Sequence, residues 1–239
     1  MRHVTDDERR ARLAVRHALA PIAYADGPEA ATRALTVLHA TEPATVYLSC
    51  WARVPSLAIA DVDRALYDDR SLVKQLAMRR TLFVTPRDLL PAVIPSSSVR
   101  VASTERARMA KDLITVGLID NGDDWLARAR TEVLAVLTDA PDGLTAAEIR
   151  QAVPMIDTTV VPSDGEPWSA PRVLVQLGAT ADIVRGTNTG NWRTSRPRWT
   201  LMPQWLGASP TPWTAAEGYR ELVCRWLYSF GPGTVADLV

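Results

Sequence analysis

Cysteine is scarce in this sequence, and Cys50 and Cys224 lie far apart in apolar stretches. Two such residues indicate buried free thiols in a reducing cytoplasm, which excludes the class of small secreted domains held together by disulfides. Long hydrophobic runs are missing as well, since no stretch approaches the roughly 20 apolar residues that a membrane span requires. The charged N-terminus, MRHVTDDERRAR, is no signal peptide. We therefore expect a cytoplasmic protein without a membrane partner.

Net charge is also absent, because 27 basic residues balance 27 acidic residues. The molecule as a whole does not attract a polyanion, so any nucleic-acid surface must be a local basic patch. Lysine is nearly missing, since arginine supplies all basic residues except Lys74 and Lys111. A basic patch would therefore consist mainly of planar guanidinium groups, which suit phosphates and base edges.

What the sequence does contain is a repeated order of helices and strands. Three helical stretches within residues 6–52 precede MRRTLFVTP (78–86), and three more within 131–179 precede a predicted hairpin at 180–202. In the first group, the second helix begins at Gly27-Pro28 and is expected to continue through Leu38. The third helix of that group, the apolar stretch 44–52, is expected to be fully buried. Three helices followed by a short strand pair are typical of a winged helix. We predict a mainly α protein with short β wings (α+β), built from tandem winged helix-turn-helix modules.

The module boundaries follow the repeat, whose period is about 90 residues. We predict a first winged-helix module with connecting helices over 1–122, a second module with a basic hairpin over 123–211, and the start of a third over 212–239. The third copy stops before its recognition helix and wing, so we expect a C-terminally truncated chain. Three apolar residues would then have little to pack against: Leu222, Trp226 and Leu238.

The hairpin at 180–202 carries the strongest electrostatic signal. No Asp or Glu occurs from Ile183 to Ala216, and arginines alternate there with tryptophans. A wing of this kind can lie along a DNA backbone, so we predict that it binds double-stranded DNA. The predicted DNA-binding residues of the hairpin are Arg185, Trp192, Arg193, Arg196 and Arg198. The alternative is a hairpin whose tryptophans face the core and whose arginines keep it soluble.

The helix at 168–178 occupies the place of a recognition helix. Its exposed face would include Ser169, Arg172 and Gln176, which are spaced to lie together. Arginine and glutamine are among the side chains that read base edges, so we predict that Arg172 and Gln176 bind DNA. The alternative is that both are ordinary surface residues.

A smaller basic patch lies beside the first predicted wing. Arg79 and Arg80 lead directly into the β-rich run that ends at Pro86. We predict that both bind DNA. Arg106 and Arg108, farther along the chain, are interpreted as part of a solvated face.

Three stretches together resemble a known family: the run 35–53 with its His39-x-Thr41, the segment MRRTLFV (78–84) and GNWRTSRPRWTL (190–201). They resemble the bacterial winged-helix family that includes the YcaQ/AlkZ-like DNA glycosylases, enzymes that remove alkylated or crosslinked bases. The resemblance runs over essentially the whole chain. It implies three tandem winged helices in a concave, DNA-gripping shape, with no metal and no other cofactor. We expect a monomer that is nucleoid-associated when it is bound to DNA.

The resemblance also implies two catalytic positions. The family motif is Gln-x-Gln or Gln-x-Asp, with His allowed first, and it falls on His39 and Thr41, of which Thr41 is a departure. Cleavage of an N-glycosidic bond creates an oxocarbenium-like sugar, which needs a negative or dipolar oxygen and a positioned water. A histidine can position or deprotonate that water. In a second family segment, Met-Arg-Gly-Thr-Leu-His, Arg80 falls on the glycine and Phe83 on the histidine.

Each catalytic position also has a structural interpretation. His39 would be a helix-end histidine bonded to a backbone carbonyl, and Thr41 would cap the helix that starts at Pro43. Glu42 could replace the missing carboxylate, but on a helix it would point about 100° away from Thr41. At the level of function, the alternatives are a non-catalytic DNA binder, such as a regulator or lesion sensor, and a protein-interaction module.

Overall fold

The computed structural model describes residues 3–162, 165–211 and 213–237. Helices dominate, and two small antiparallel sheets accompany them, which confirms the α+β class. The helices are α1 Asp6–Arg16, α2 Pro28–Ala34, α3 Pro43–Trp51, α4 Ile59–Asp63, α5 Leu90–Val93, α6 Val99–Thr115, α7 Gly122–Thr138, α8 Ala146–Ala152, α9 Ala170–Ala179, α10 Met202–Leu206 and α11 Ala215–Phe230. The strands are β1 Leu38–His39, β2 Leu72–Ala77, β3 Thr81–Pro86, β4 Ile183–Asn188 and β5 Pro197–Leu201.

The first sheet has the strand order β1-β3-β2 and is antiparallel throughout. Successive side chains of a strand point to opposite faces, and here both faces are covered. One face contributes Leu38, Leu76 and Val84 to a core shared with α2, α3 and α4. The other face packs Ala77 and Phe83 against α5. The sheet is therefore the centre of the N-terminal half.

The second half has its own core, built from α6 to α9 and the β4–β5 hairpin. The hairpin confirms the strand pair that the sequence predicts at 180–202, with Ile183 opposite Leu201 and Arg185 opposite Trp199. Trp199 is buried in this core, as the alternative interpretation of the hairpin expects. The acidic stretch DNGDD (120–124) forms the start of α7 and its cap. The Asn121 side chain accepts hydrogen bonds from two backbone amides of the first turn.

The two halves are packed against each other along β2. The Gln75 side chain donates a hydrogen bond to the carbonyl of Gly178 at the end of α9. Val73 shares a small core with Val184 of β4. The β4–β5 hairpin therefore crosses the outer edge of the first sheet.

Helix α11 lies on α5, and the contact is close. A Cβ at Gly218 would lie 2.4 Å from the carbonyl oxygen of Ala92, so only glycine fits there. Leu222 packs against the α5 core, and Trp226 stacks on Phe230 with ring centroids 6.1 Å apart. The expectation that these two residues lack contacts is therefore wrong, and Leu238 lies outside the described residues.

Three local predictions from the sequence are also wrong. Helix α2 ends at Ala34, because Leu38 and His39 leave it to pair with β3. Helix α3 is not fully buried, since Leu48 and Trp51 are exposed by 53% and 69%. Both cysteines are free, but Cys224 is exposed rather than buried.

Helices long and apolar enough to cross a bilayer do not occur among the described residues.

Candidate active site and nucleic-acid interface

His39 lies at the end of β1, the edge strand of the first sheet. It pairs with Phe83 of β3, and the two rings meet edge to face with centroids 5.9 Å apart. The imidazole is exposed, and it makes no hydrogen bond or ion pair within the described ranges. The interpretation of His39 as a helix-end residue bonded to a carbonyl is therefore wrong. The ring is positioned by a strand and remains open to solvent.

The residues after His39 form the entry to α3. Ala40 donates a backbone hydrogen bond of 2.8 Å to Leu82, so the chain keeps running beside β3. Thr41 and Glu42 are both exposed. Glu42 is the N-cap residue of α3, with φ −92° and ψ 116°, and its side chain does not cap the helix. The prediction that Thr41 caps the helix is therefore wrong.

The extended backbone at Glu42 makes its carboxylate a candidate functional group beside His39. The expectation that it points away from Thr41 assumes helical backbone, and neither residue is in the helix. Three residues of extended chain span at most about 11 Å, so the Glu42 carboxylate and the His39 ring belong to one small exposed segment. Pro43 already indicates in the sequence that Glu42 is not helical, because a residue before proline avoids the helical region.

The turn between β2 and β3 carries the first basic patch. Arg79 and Arg80 both have left-handed backbone, each with φ 56°. The Arg79 side chain is exposed and has no hydrogen bond or ion pair in the described part of the chain. Arg80 is also exposed, but its guanidinium bonds to Glu105 of α6 at 3.2 Å. The antiparallel path from His39 through Ala40 runs towards this turn.

Glu105 connects this turn to the second half of the molecule. The same oxygen, Oε2, also accepts a 3.1 Å bond from Arg172 of α9. Arg172 lies 3.7 Å from Asp112 and over the Trp168 ring, so it is enclosed by an ion-pair network. Its side chain is only 13% exposed.

The predicted recognition face of α9 is consequently not exposed. Gln176 is only 7% exposed, so its side chain is not available at the surface. The prediction that Arg172 and Gln176 present an exposed base-reading face is wrong. The helical spacing places them on one side of α9, but that side is covered by α6 and the first sheet.

The tip of the β4–β5 hairpin rests on the first half of the protein. The Trp192 ring lies against Tyr47 of α3, with centroids 6.1 Å apart. On its other side, the Arg193 guanidinium lies 5.5 Å from the Trp192 centroid. Trp192 is thus held between two side chains, whereas Arg193 and Arg196 are exposed beside it.

The other two hairpin arginines are structural in this fold. The Arg185 guanidinium stacks on Trp199 at 5.3 Å, and burial lowers its pKa below the ordinary value. Arg198 donates to the carbonyls of Asp142 and Gly143 and lies 3.5 Å from Glu148. The hairpin therefore brings two of its five predicted DNA-binding side chains to the surface as free cations.

A buried polar cluster lies beneath the hairpin. Tyr47 donates a 2.6 Å bond to Asp63, and Lys74 donates one of 2.6 Å to Tyr67. Burial and the nearby Arg185 charge lower the pKa of Lys74 to about 8, and burial raises that of Tyr67 to about 12. The cluster adjoins the hairpin, because Tyr47 contacts Trp192 and the charge of Arg185 acts on Lys74.

Within the described ranges, the acidic, histidine and cysteine side chains form no group of three or more that could hold a metal ion.

Comparison with known proteins gives two findings. The sequence matches the family model described as DNA glycosylase AlkZ-like over residues 32–239. Among solved structures, the Streptomyces sahachiroi DNA glycosylase AlkZ is similar, with a TM-score of 0.68, 18% sequence identity, and coverage of 94% of this chain and 58% of that chain. At that identity the likeness concerns the fold, and this chain spans somewhat more than half of the length of the matched structure. No curated protein matches the sequence.

Proposed function

The chain belongs to the AlkZ-like DNA glycosylase family, and on that premise we propose that it removes bulky alkylated or crosslinked bases from double-stranded DNA. The proposed architecture is a set of tandem winged-helix modules with the boundaries given above. The observation that supports the proposal most is the exposed, unbonded imidazole of His39 at the end of β1, on the family's first catalytic position.

The proposed reaction is hydrolysis of the N-glycosidic bond. A water oxygen bonds to the anomeric carbon of the deoxyribose while the bond to the base breaks, and the base leaves with the electron pair. His39 orients the water and accepts its proton. The Glu42 carboxylate lies in the same segment and stabilises the positive charge that develops on the sugar. Glu42 thereby takes the part for which the neutral Thr41 hydroxyl is poorly suited.

The first proposed DNA contacts are three exposed arginines that form no ion pair among the described residues. Arg79 lies at the turn towards which the His39 segment runs, and Arg193 and Arg196 flank the hairpin tip. Exposed guanidinium groups of this kind pair with backbone phosphates and position the duplex without reading its sequence. Arg80 is a fourth proposed DNA contact, although its guanidinium is ion-paired with Glu105.

The test is incubation of the protein with duplexes that carry 7-alkylguanine or an interstrand crosslink, followed by measurement of abasic sites. We expect abasic sites from wild-type protein and at least about 100-fold fewer from His39→Ala, since a positioned acid–base group contributes about 10²–10⁴ in rate. An identical background from both proteins would overturn the glycosylase proposal.

A second candidate function is a lesion sensor that binds damaged DNA without cleaving it. It is favoured by Thr41 and Phe83, which replace a carboxamide or carboxylate and a histidine of the family segments that this sequence resembles. Damage-selective binding without abasic sites would support this candidate.

A further inference from the structure

Helix α6 presents a basic face that the proposed function does not use. The exposed side chains of α6 include Arg100, Arg108 and Lys111. At 100° per residue, Lys111 lies about 20° and Arg108 about 80° around the helix from Arg100. The three cations therefore share one side of a helix of 17 residues.

Neither acidic residue of α6 is exposed on this side, and the Arg108 guanidinium lies against Gly165, which the exposed Glu166 follows. The acidic residues of α6 are Glu105 and Asp112, which are 6% and 7% exposed and are bonded to Arg80, Arg172 and Trp168. The side chains of Arg100, Arg108 and Lys111 have no hydrogen bond or ion pair in the described part of the chain. Several exposed arginines elsewhere are ion-paired, for example Arg64 with Asp61 and Arg150 with Asp157.

This face continues the basic turn beside His39. The Arg80–Glu105 bond of 3.2 Å fixes the β2–β3 turn on α6. Around the helix, Arg108 is the exposed cation nearest to Glu105, about 60° away. Arg108 therefore lies next to the turn that carries Arg79 and Arg80. Along the axis of α6 it lies between Arg100, about 12 Å away, and Lys111, about 4.5 Å away.

We propose that the exposed face of α6 is a docking surface for the phosphodiester backbone of duplex DNA, running away from the His39 site. The occupant is identified by charge: three exposed cations on one side of a helix, with no ion pair among the described residues, suit a polyanion, and backbone contacts need no base readout. The inference rests on the proposed function only for the choice of duplex DNA as ligand. It reassigns Arg108 from a merely solvated residue to a phosphate contact.

The test is a salt titration of binding to an undamaged, fluorescein-labelled duplex, from 50 to 200 mM NaCl, by fluorescence anisotropy. In Arg108→Gln/Lys111→Gln, two lost phosphate contacts should make the slope of log K against log salt less negative by about 1.8. Affinity at 100 mM salt should fall by on the order of tenfold or more.

The control is Arg64→Gln/Arg150→Gln, which removes the same total charge from two exposed, carboxylate-paired positions. It should keep the wild-type slope. Equal slope changes in both double variants would mean that net charge alone matters, and an unchanged slope in Arg108→Gln/Lys111→Gln would mean that α6 does not bind DNA. Either result overturns this inference. The proposed function is unaffected as long as the wild-type protein binds duplex DNA. Failure of wild type to bind any duplex at 50 mM salt would overturn both.

Discussion

Two hairpins of this molecule, β2–β3 and β4–β5, both carry arginines but use them differently. In the β4–β5 hairpin, Arg185 stacks on Trp199 and Arg198 is bound by two backbone carbonyls. In the β2–β3 turn, Arg79 stays free and Arg80 is fixed by a single carboxylate. The comparison shows that a stretch without acidic residues is not necessarily a free basic surface. Aromatic rings, carbonyls and carboxylates from distant parts of the chain decide which cations remain available.

The largest expected effect concerns the tryptophans that hold the β4–β5 hairpin. Trp199→Ala should lower the free energy of unfolding by about 3–5 kcal/mol, because it leaves a cavity in the second core. Trp192→Ala should cost less, since that ring is only half-buried between Tyr47 and Arg193. Urea unfolding of both variants measures the difference. A larger loss for Trp192→Ala would mean that the tip, not the core, anchors the hairpin.

The next effect concerns Lys74 beneath that hairpin. Its pKa is lowered to about 8 from an ordinary 10.5, so the folded state loses the proton before the unfolded state does. Stability should therefore rise between pH 8 and 9, by at most about 1.4 kcal/mol per pH unit. The raised pKa of Cys50 acts in the opposite direction above pH 9, and that of Tyr67 does so above pH 10. Chemical unfolding at several pH values should show this rise in wild type and not in Lys74→Met.

A smaller effect separates the arginines of the two hairpins. Arg79→Gln should make the salt slope of DNA binding less negative by about 0.9 and leave unfolding unchanged. Arg198→Gln should do the reverse, with the slope kept and the free energy of unfolding lowered by about 1 kcal/mol. Fluorescence anisotropy measures the salt slope of DNA binding, and urea unfolding of the same samples measures the free energy of unfolding. Equal slopes in the two variants would remove the distinction between the hairpins.

The smallest effect is expected at the Arg33–Asp88 pair, which joins α2 to the residues just after β3. The Arg33 guanidinium lowers the pKa of Asp88, so the pair stabilises the fold above the ordinary pKa of the carboxyl and is lost on acidification. Both side chains are about half exposed, at 46% and 52%, so the effect should stay below about 1 kcal/mol. Asp88→Asn should therefore reduce stability slightly at pH 7 and by less at pH 3 in thermal melts.

Local sequence signals predict much of the fold. Capping boxes locate the starts of α8 and α11, and hydrophobic patterns locate the β4–β5 hairpin. The His39 segment is harder to predict, because a strand of two residues has no pattern of its own and exists only through pairing with β3. Burial of Arg172 and Gln176 could not be predicted from helical spacing, which gives a face but not its partner.

The candidate site is likewise only partly readable from the sequence. His39 and Thr41 follow from resemblance to a family motif, but the role proposed for Glu42 depends on the non-helical backbone before Pro43. The basic face of α6 is visible as a spacing of three cations. The proposed role of this face in DNA binding depends on the structure, in which Glu105 of α6 bonds to Arg80 of the β2–β3 turn.

The central claim, that the imidazole of His39 drives base removal, is tested most directly by replacing it with the glutamine that the family motif also allows. Single-turnover release of 7-alkylguanine should fall at least about 100-fold in His39→Ala and by less in His39→Gln, because glutamine can still position the water but cannot accept its proton. Equal release by wild type, His39→Gln and His39→Ala would contradict the account.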